Sequence, residues 1–263
     1  MQISVNGVKI DALDEGSGPA TILLHGFPLA KELWDAQARA LSASGRVVRI
    51  DLRGLGKSSV VPGPYLMETL AGDVAGVMDA LRIERAAIVG HSAGGYIAFA
   101  FWRMFAERVT ALGIVSSRAS ADDGAGAAAR RALADRAERE GIEPVIDAFV
   151  PRYFAPDVYE HAPELVARAR DMVSRTAPAG AAAMLRGMAE RVASEDLFGE
   201  IDVPVCVIAG SRDAIIAPEE AQRIAAGVAL ARLHILECGH MPMWEAPDAT
   251  TAILADLSRE ASG

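Results

Sequence analysis

The run Ala86-Ala87-Ile88-Val89-Gly90-His91-Ser92-Ala93-Gly94-Gly95-Tyr96-Ile97-Ala98 decides how this chain is read. Its first half is a short apolar strand and its second half opens an apolar helix, so Gly90-x-Ser92-x-Gly94 falls on the turn between them. Glycines on either side of the serine remove the Cβ atoms that would keep strand and helix apart. A sharp turn of this kind projects Ser92 Oγ outward with strained backbone angles. The N-terminus of the following helix offers free N–H groups and partial positive charge to a developing anion. The spacing alone is common. Placed between strand and helix it marks a nucleophile, with a Gly-rich structural turn as the plain alternative.

Outward from this turn the chain alternates strands and helices. Apolar runs at 3–5, 8–13, 21–24, 46–50, 86–89, 110–115, 205–209 and 232–236 read as strands, and Asn6-Gly7 between the first two is a hairpin turn. Helical patterns cover about 31–43, 66–81, 93–106, 217–227 and 247–260. Strands apolar on both faces suit a mostly parallel central sheet with helices on each side, an α/β fold. Residues 118–191 differ. They are rich in Ala, hold eleven Arg against twelve acidic residues and no Lys, and their helical patterns are broken by Gly141, Pro144, Pro151, Pro156, Pro163 and Pro178. The expected organisation is a core of 1–117 and 192–263 carrying an inserted all-helical cap at 118–191.

A serine needs a base and an acid that orients the base. Asp213, in Gly210-Ser211-Arg212-Asp213, and His240, in Cys238-Gly239-His240, each follow a strand, where the loops of an open parallel sheet collect side chains. Asp122 and Asp123, after the strand at 110–115, are rival acids lying farther from their strand end. His25 and His91 lie beside the expected site and read as packing or hydrogen-bonding residues. His234, Cys238 and His240 do not have ligand spacing for a metal. Gly54-Leu55-Gly56-Lys57-Ser58 ends like a phosphate-binding loop, but position 51 holds Asp where that pattern requires Gly.

His25-Gly26-Phe27-Pro28, Asp51 to Ser58, Gly90 to Gly94, Gly210 to Asp213 and Gly239-His240 together resemble the α/β-hydrolase superfamily over about residues 3–260. Within it the chain is similar to capped serine esterases, lactonases and non-haem haloperoxidase-like perhydrolases. The resemblance implies Ser92, Asp213 and His240 as nucleophile, acid and base, and backbone N–H groups of Phe27 and Ala93 as the oxyanion hole. The family's dehalogenases and epoxide hydrolases form their ester on a carboxylate, which serine at position 92 does not match. The expected activity is hydrolysis of small to medium carboxylic esters or lactones, needing no metal or other cofactor. Carbon–carbon bond hydrolysis, acyl transfer including perhydrolysis, and a slow-turnover receptor share the same residues.

For the substrate pocket the core offers Leu29, Trp34 and Met241, with Met243 and Trp244 near the base. The helical segment offers Phe149, Tyr153, Phe154, Met184 and Met188, with Met172, and the cations Arg152 and Arg175. Each apolar candidate is more often core than lining, because apolar helical stripes usually pack.

Composition narrows the partners. Of 263 residues, 51% are hydrophobic and 23% charged, with 26 basic against 35 acidic side chains for a net charge of −9. This balance opposes nucleic-acid binding, which draws its affinity from cations on phosphates. No apolar run reaches the roughly 18 residues of a spanning helix, and the N-terminus lacks signal-peptide features. Two cysteines without CxxC spacing make no disulfide framework. The expectation is a cytoplasmic protein acting on a small molecule, with no membrane partner and its oligomeric state open.

Overall fold

The computed structural model describes residues 1–261. Eight strands, β1 (Gln2–Val5), β2 (Val8–Gly16), β3 (Ala20–Leu24), β4 (Arg46–Ile50), β5 (Ala86–His91), β6 (Val109–Val115), β7 (Val205–Gly210) and β8 (Ala231–Leu236), form one sheet ordered β1-β2-β4-β3-β5-β6-β7-β8. β1 and β2 pair antiparallel across a turn in which Asn6 and Gly7 take φ of 47° and 77°, the geometry expected of Asn-Gly. β2 is antiparallel to β4 as well, and every later pairing is parallel.

Helices α1 (Asp35–Leu41), α2 (Met67–Ala80) and α3 (Ala93–Phe105) precede β6. Between β6 and β7 lie α4 (Gly124–Glu140), α5 (Glu143–Phe149), α6 (Val158–His161), α7 (Pro163–Ser174) and α8 (Pro178–Ala189), with no strand among the described residues there. The chain closes with α9 (Pro218–Gly227), α10 (Pro242–Glu245) and α11 (Pro247–Glu260). Proline occupies the first turn of seven helices or short helical turns in the second half of the chain, where its missing N–H costs nothing.

Alternation along the strands builds two cores. Ile22, Leu24, Ile88, Leu112, Ile114 and Val207 pack on the face covered by α2, α3 and α9. Their neighbours Leu23, Ala87, Val89, Val115 and Ile208 pack on the opposite face against α1 and α11. Burying both faces explains why the strands read as continuous apolar runs. β8 is the exception: as an edge strand it leaves Leu233 and Ile235 exposed.

Strand order places the functional end of the sheet. The chain passes from β3 outward to β4, then crosses back to β5 on the other side of β3. Loops leaving β3 and β5 therefore diverge, and a crevice opens between them at the strands' C-terminal ends.

The loop after β4 is built around Asp51, which is fully buried. Its carboxylate accepts from Lys31 N–H at 2.8 Å, Lys57 N–H at 2.8 Å and Lys31 Nζ at 2.7 Å, while Lys31 Nζ also lies 2.6 Å from Asp11. A Cβ on Gly56 would fall 2.3 Å from Asp51 Cγ, so this glycine is required by the fold of the loop. Asp51→Ala is expected to destabilise the protein by about 3 kcal/mol, because it strands a buried ammonium and two N–H groups. Urea unfolding reads this directly; a loss below about 1 kcal/mol would mean that Asp11 alone satisfies Lys31.

Candidate active site

Ser92 sits on the turn between β5 and α3 with φ 52° and ψ −115°, a conformation rare for any residue but glycine. Strain of this kind costs about 1–3 kcal/mol and persists only where the surroundings over-determine it. Here they do. Ser92 N–H donates to the Val115 carbonyl at 2.8 Å, and the Ser92 carbonyl accepts from Ser117 Oγ at 2.7 Å and Gly95 N–H at 2.9 Å. A Cβ on Gly90 would lie 2.1 Å from the Gly94 carbonyl oxygen, so Gly90 is what lets the turn close, while a Cβ on Gly94 would fall 2.6 Å from the Leu24 carbonyl oxygen at the end of β3.

The β3 loop is pressed against the same turn. A Cβ on Gly26 would come within 3.1 Å of Ser92 Cβ. The next peptide, joining Gly26 to Phe27, is held by its carbonyl, which accepts from His25 Nδ1 at 2.8 Å and Leu29 N–H at 2.9 Å. His25 Nε2 accepts from Leu52 N–H at 2.9 Å, which fixes the neutral tautomer. Burial holds this imidazole below its ordinary pKa. His25 thus orients the peptide plane that carries Phe27 N–H. Among the described residues, neither Phe27 N–H nor Ala93 N–H finds a protein acceptor.

Asp213 and His240 meet as their positions after β7 and β8 suggested. His240 Nδ1 donates to Asp213 Oδ2 at 2.7 Å, and both side chains are almost wholly buried. The other carboxylate oxygen accepts from Ile215 N–H at 2.7 Å and Ile216 N–H at 2.9 Å, so three donors hold the Asp213 carboxylate in place. His240 is held through its own backbone: its N–H donates to the Tyr153 carbonyl at 2.8 Å and its carbonyl accepts from His91 Nε2 at 2.9 Å. His91 immediately precedes Ser92, so the histidine after β8 is tied one residue away from the serine. Burial keeps His91 neutral, well below the ordinary imidazole range, with His240 adding to the effect. The rival acids have other partners. Asp122 pairs with arginines, and Asp123 caps α4 by accepting from Gly126 N–H at 2.7 Å.

A cavity of about 380 Å³ opens at Ser92, Ala93 and Phe27, within the size range of small-molecule sites. Of the apolar candidates, Phe149 and Met188 line it. Leu29, Trp34, Met184 and Met241 are fully buried in the two cores, and so are Tyr153 and Phe154 but for a trace of exposure. Helical apolar stripes here mostly pack against the sheet and its neighbours. Tyr153 still serves the site, since its hydroxyl donates to the Phe27 carbonyl at 3.2 Å and its ring stacks parallel to His240 at 6.2 Å. Arg152 lines the cavity, whereas Arg175 pairs with Asp171 in solvent.

Several lining residues carried a weaker signal. Tyr96 lies one helical turn after Ser92 and so faces the same way. Arg118 and Asp122 follow the C-terminal end of β6, on the functional edge of the sheet. Arg130, in the middle of α4, carried none. The described residues hold no group of His, Cys, Asp and Glu arranged for a metal, and no helix is long and apolar enough to cross a membrane.

Known proteins match this architecture. A 3-oxoadipate enol-lactonase of Acinetobacter baylyi is 28% identical over 231 residues, covering 88% of this chain and 85% of its own. An epoxide hydrolase of Siraitia grosvenorii is 39% identical over 113 residues, 42% of this chain and 36% of that protein. A thermophilic esterase of Thermogutta terrifontis, solved with malate bound, superposes with a TM-score of 0.97 at 33% identity, each chain covered completely. The family model for the alpha/beta hydrolase fold matches residues 19–247, and the chain belongs to that family.

Proposed function

We propose that this protein is a serine hydrolase that cleaves small to medium carboxylic esters or lactones through an acyl-enzyme on Ser92. The observation that carries the reading is the Asp213–His240 pair at 2.7 Å, tied through His91 to a strained Ser92 beside a cavity. The full-length similarity to an enol-lactonase and to an esterase supports the substrate class. The epoxide hydrolase similarity is partial, and Ser92 supplies no carboxylate on which that chemistry's ester could form.

In this mechanism His240 Nε2 takes the Ser92 hydroxyl proton as Oγ attacks the carbonyl carbon. Asp213 holds Nδ1–H and stabilises the imidazolium that results. The oxyanion accepts from Phe27 N–H and Ala93 N–H, each donor contributing about 3 kcal/mol in the transition state. As the tetrahedral intermediate collapses, His240 returns the proton to the departing alkoxide. A water molecule then gives His240 a proton and attacks the acyl-enzyme, releasing the acid and restoring Ser92. From a lactone the alkoxide stays attached to the acyl chain, and the product is a hydroxy acid. The segment between β6 and β7 acts as a cap, closing the cavity through Phe149, Arg130 and Met188.

Ser92→Ala is expected to fold as the parent does and to lose kcat on p-nitrophenyl acetate and butyrate by about five orders of magnitude. Turnover that survives the substitution would remove Ser92 as nucleophile. Asp213→Asn should lower kcat by about three to four orders of magnitude with KM little altered, because the amide favours the wrong imidazole tautomer. Asp123→Asn should leave both constants near their parent values, and stopped-time assays on the two variants side by side decide the acid.

A further inference from the structure

The cavity at Ser92 has a strongly basic wall in an acidic protein. Arg118, Arg130 and Arg152 line it, and Asp122 is the one carboxylate among its lining residues. Asp122 is buried and collects three guanidinium groups. Arg130 Nε lies at 2.6 Å, Arg191 Nη1 at 3.1 Å, and Arg118 Nη2 is also in contact. Burial alone would raise the Asp122 carboxyl; the arginines outweigh it and hold the carboxyl below its usual value, so it remains an ion. Glu220 reaches this region through Ser120 Oγ, but it is paired with Arg223.

Arg191 has little left to offer a ligand. Its side chain is 3% exposed, stacks over the Tyr96 ring at 4.0 Å, and donates to the Ser120 carbonyl at 2.6 Å. Arg152 donates to the Ala214 carbonyl at 2.6 Å and makes no ion pair among the described residues. Arg130 is the cation with donors to spare inside the cavity. Beyond Asp122 its guanidinium interacts with the Tyr96 hydroxyl and reaches Met188 Sδ at 3.7 Å, a weak acceptor. Arg118 Nε is buried without a hydrogen-bond partner. Cations withdrawn from water are costly unless an anion answers them, and one carboxylate answers only part of this charge.

Resting on the hydrolase reading above, we propose that the substrate is an ester or lactone bearing a free carboxylate, received by Arg130 and Arg118 on the wall of the cavity that opens at Ser92. The planar fork of a guanidinium matches a carboxylate with paired, charge-assisted hydrogen bonds. These contacts fix the substrate by its acidic end while its carbonyl lies against Ser92. Tyr96, one turn along α3 from Ser92 and beneath Arg191, lines the same cavity.

The test compares esters of equal shape and different charge. Ethyl hydrogen succinate and ethyl isocaproate carry the carboxylate, or a branched alkyl group of the same outline, in the acyl part. Acetylglycolate and isobutyl acetate do the same in the leaving alcohol. In at least one pair the acidic ester is expected to have a kcat/KM about 10- to 100-fold above its neutral counterpart, the range of one charge-assisted contact. Arg130→Gln should shrink that ratio by about tenfold or more, and Arg118→Gln tests the same wall independently.

Neutral esters favoured in both pairs would overturn the proposal. So would an Arg130→Gln protein that loses activity on both members of a pair alike, which is what a purely structural arginine produces. Calorimetric titration of the Ser92→Ala protein with glutarate reads the carboxylate site without turnover. Binding that Arg130→Gln abolishes supports the basic wall even if no ester is hydrolysed, a result that would sink the hydrolase reading alone. Absence of binding together with equal rates within each pair sinks the inference and leaves the hydrolase reading standing.

Discussion

Strand β5 and helix α3 approach so closely around Ser92 that no side chain fits between them. The backbone at Ser92 is pinned in the left-handed region by this approach and by bonds to Val115 and Ser117 on the neighbouring strand and its loop. Once that turn is rigid, everything near it can be placed by reference to it. Gly26 lies against Ser92 Cβ, which brings the Phe27 peptide alongside, and His25 grips that peptide by its carbonyl. His91 extends from the turn to the backbone of His240. Two histidines that are not themselves proposed to move protons thus hold the Phe27 peptide and the His240 backbone in place. Their burial keeps them neutral, so their hydrogen bonds keep a fixed direction near neutral pH.

The electrostatic design runs opposite to the composition. A chain with a net charge of −9 gathers three arginines around one carboxylate in the wall of a cavity. Net charge says nothing about what the cavity accepts. The local sign is set by burial and by which few residues face inward. Net charge was silent about the acidic small molecule proposed above.

What could be read in the sequence follows from how local each signal is. Strand alternation and proline placement depend on neighbouring residues only, and the helices at 66–81, 93–106 and 247–260 match α2, α3 and α11 within a residue or so. Asp213 and His240 were legible because each follows its strand within a few residues, so parallel strands had to deliver them to the same edge. The pocket was far less legible. Leu29, Trp34, Tyr153, Phe154, Met184 and Met241 have the chemistry of a lining but fill the cores, because helical residues go where packing sends them. Arg130 belongs to the wall only because α4 lies over Ser92. Nothing within a few residues of it encodes that placement, and the same arginine on a solvated helix would read identically.

The segment between β6 and β7 is fastened to the body at both ends of the cavity. Tyr153 supports the His240 backbone and the Phe27 carbonyl, Ala155 N–H donates to Glu245 at 2.8 Å, and Thr176 donates to the Pro28 carbonyl at 3.0 Å. On the far side α8 lies so close to the loop after β4 that a Cβ on Gly180 would fall 2.0 Å from the Gly54 carbonyl oxygen. A swinging door would need one of these edges free. The consequence is for anyone transplanting specificity between relatives of this fold. Residues 150–157 travel with the β-sheet, as part of the bearing on which the histidine rests. A chimera that exchanges the whole helical segment inherits a new pocket and forfeits the alignment of its own His240, whereas one that exchanges only α4 and α5 changes the wall and leaves the bearing in place.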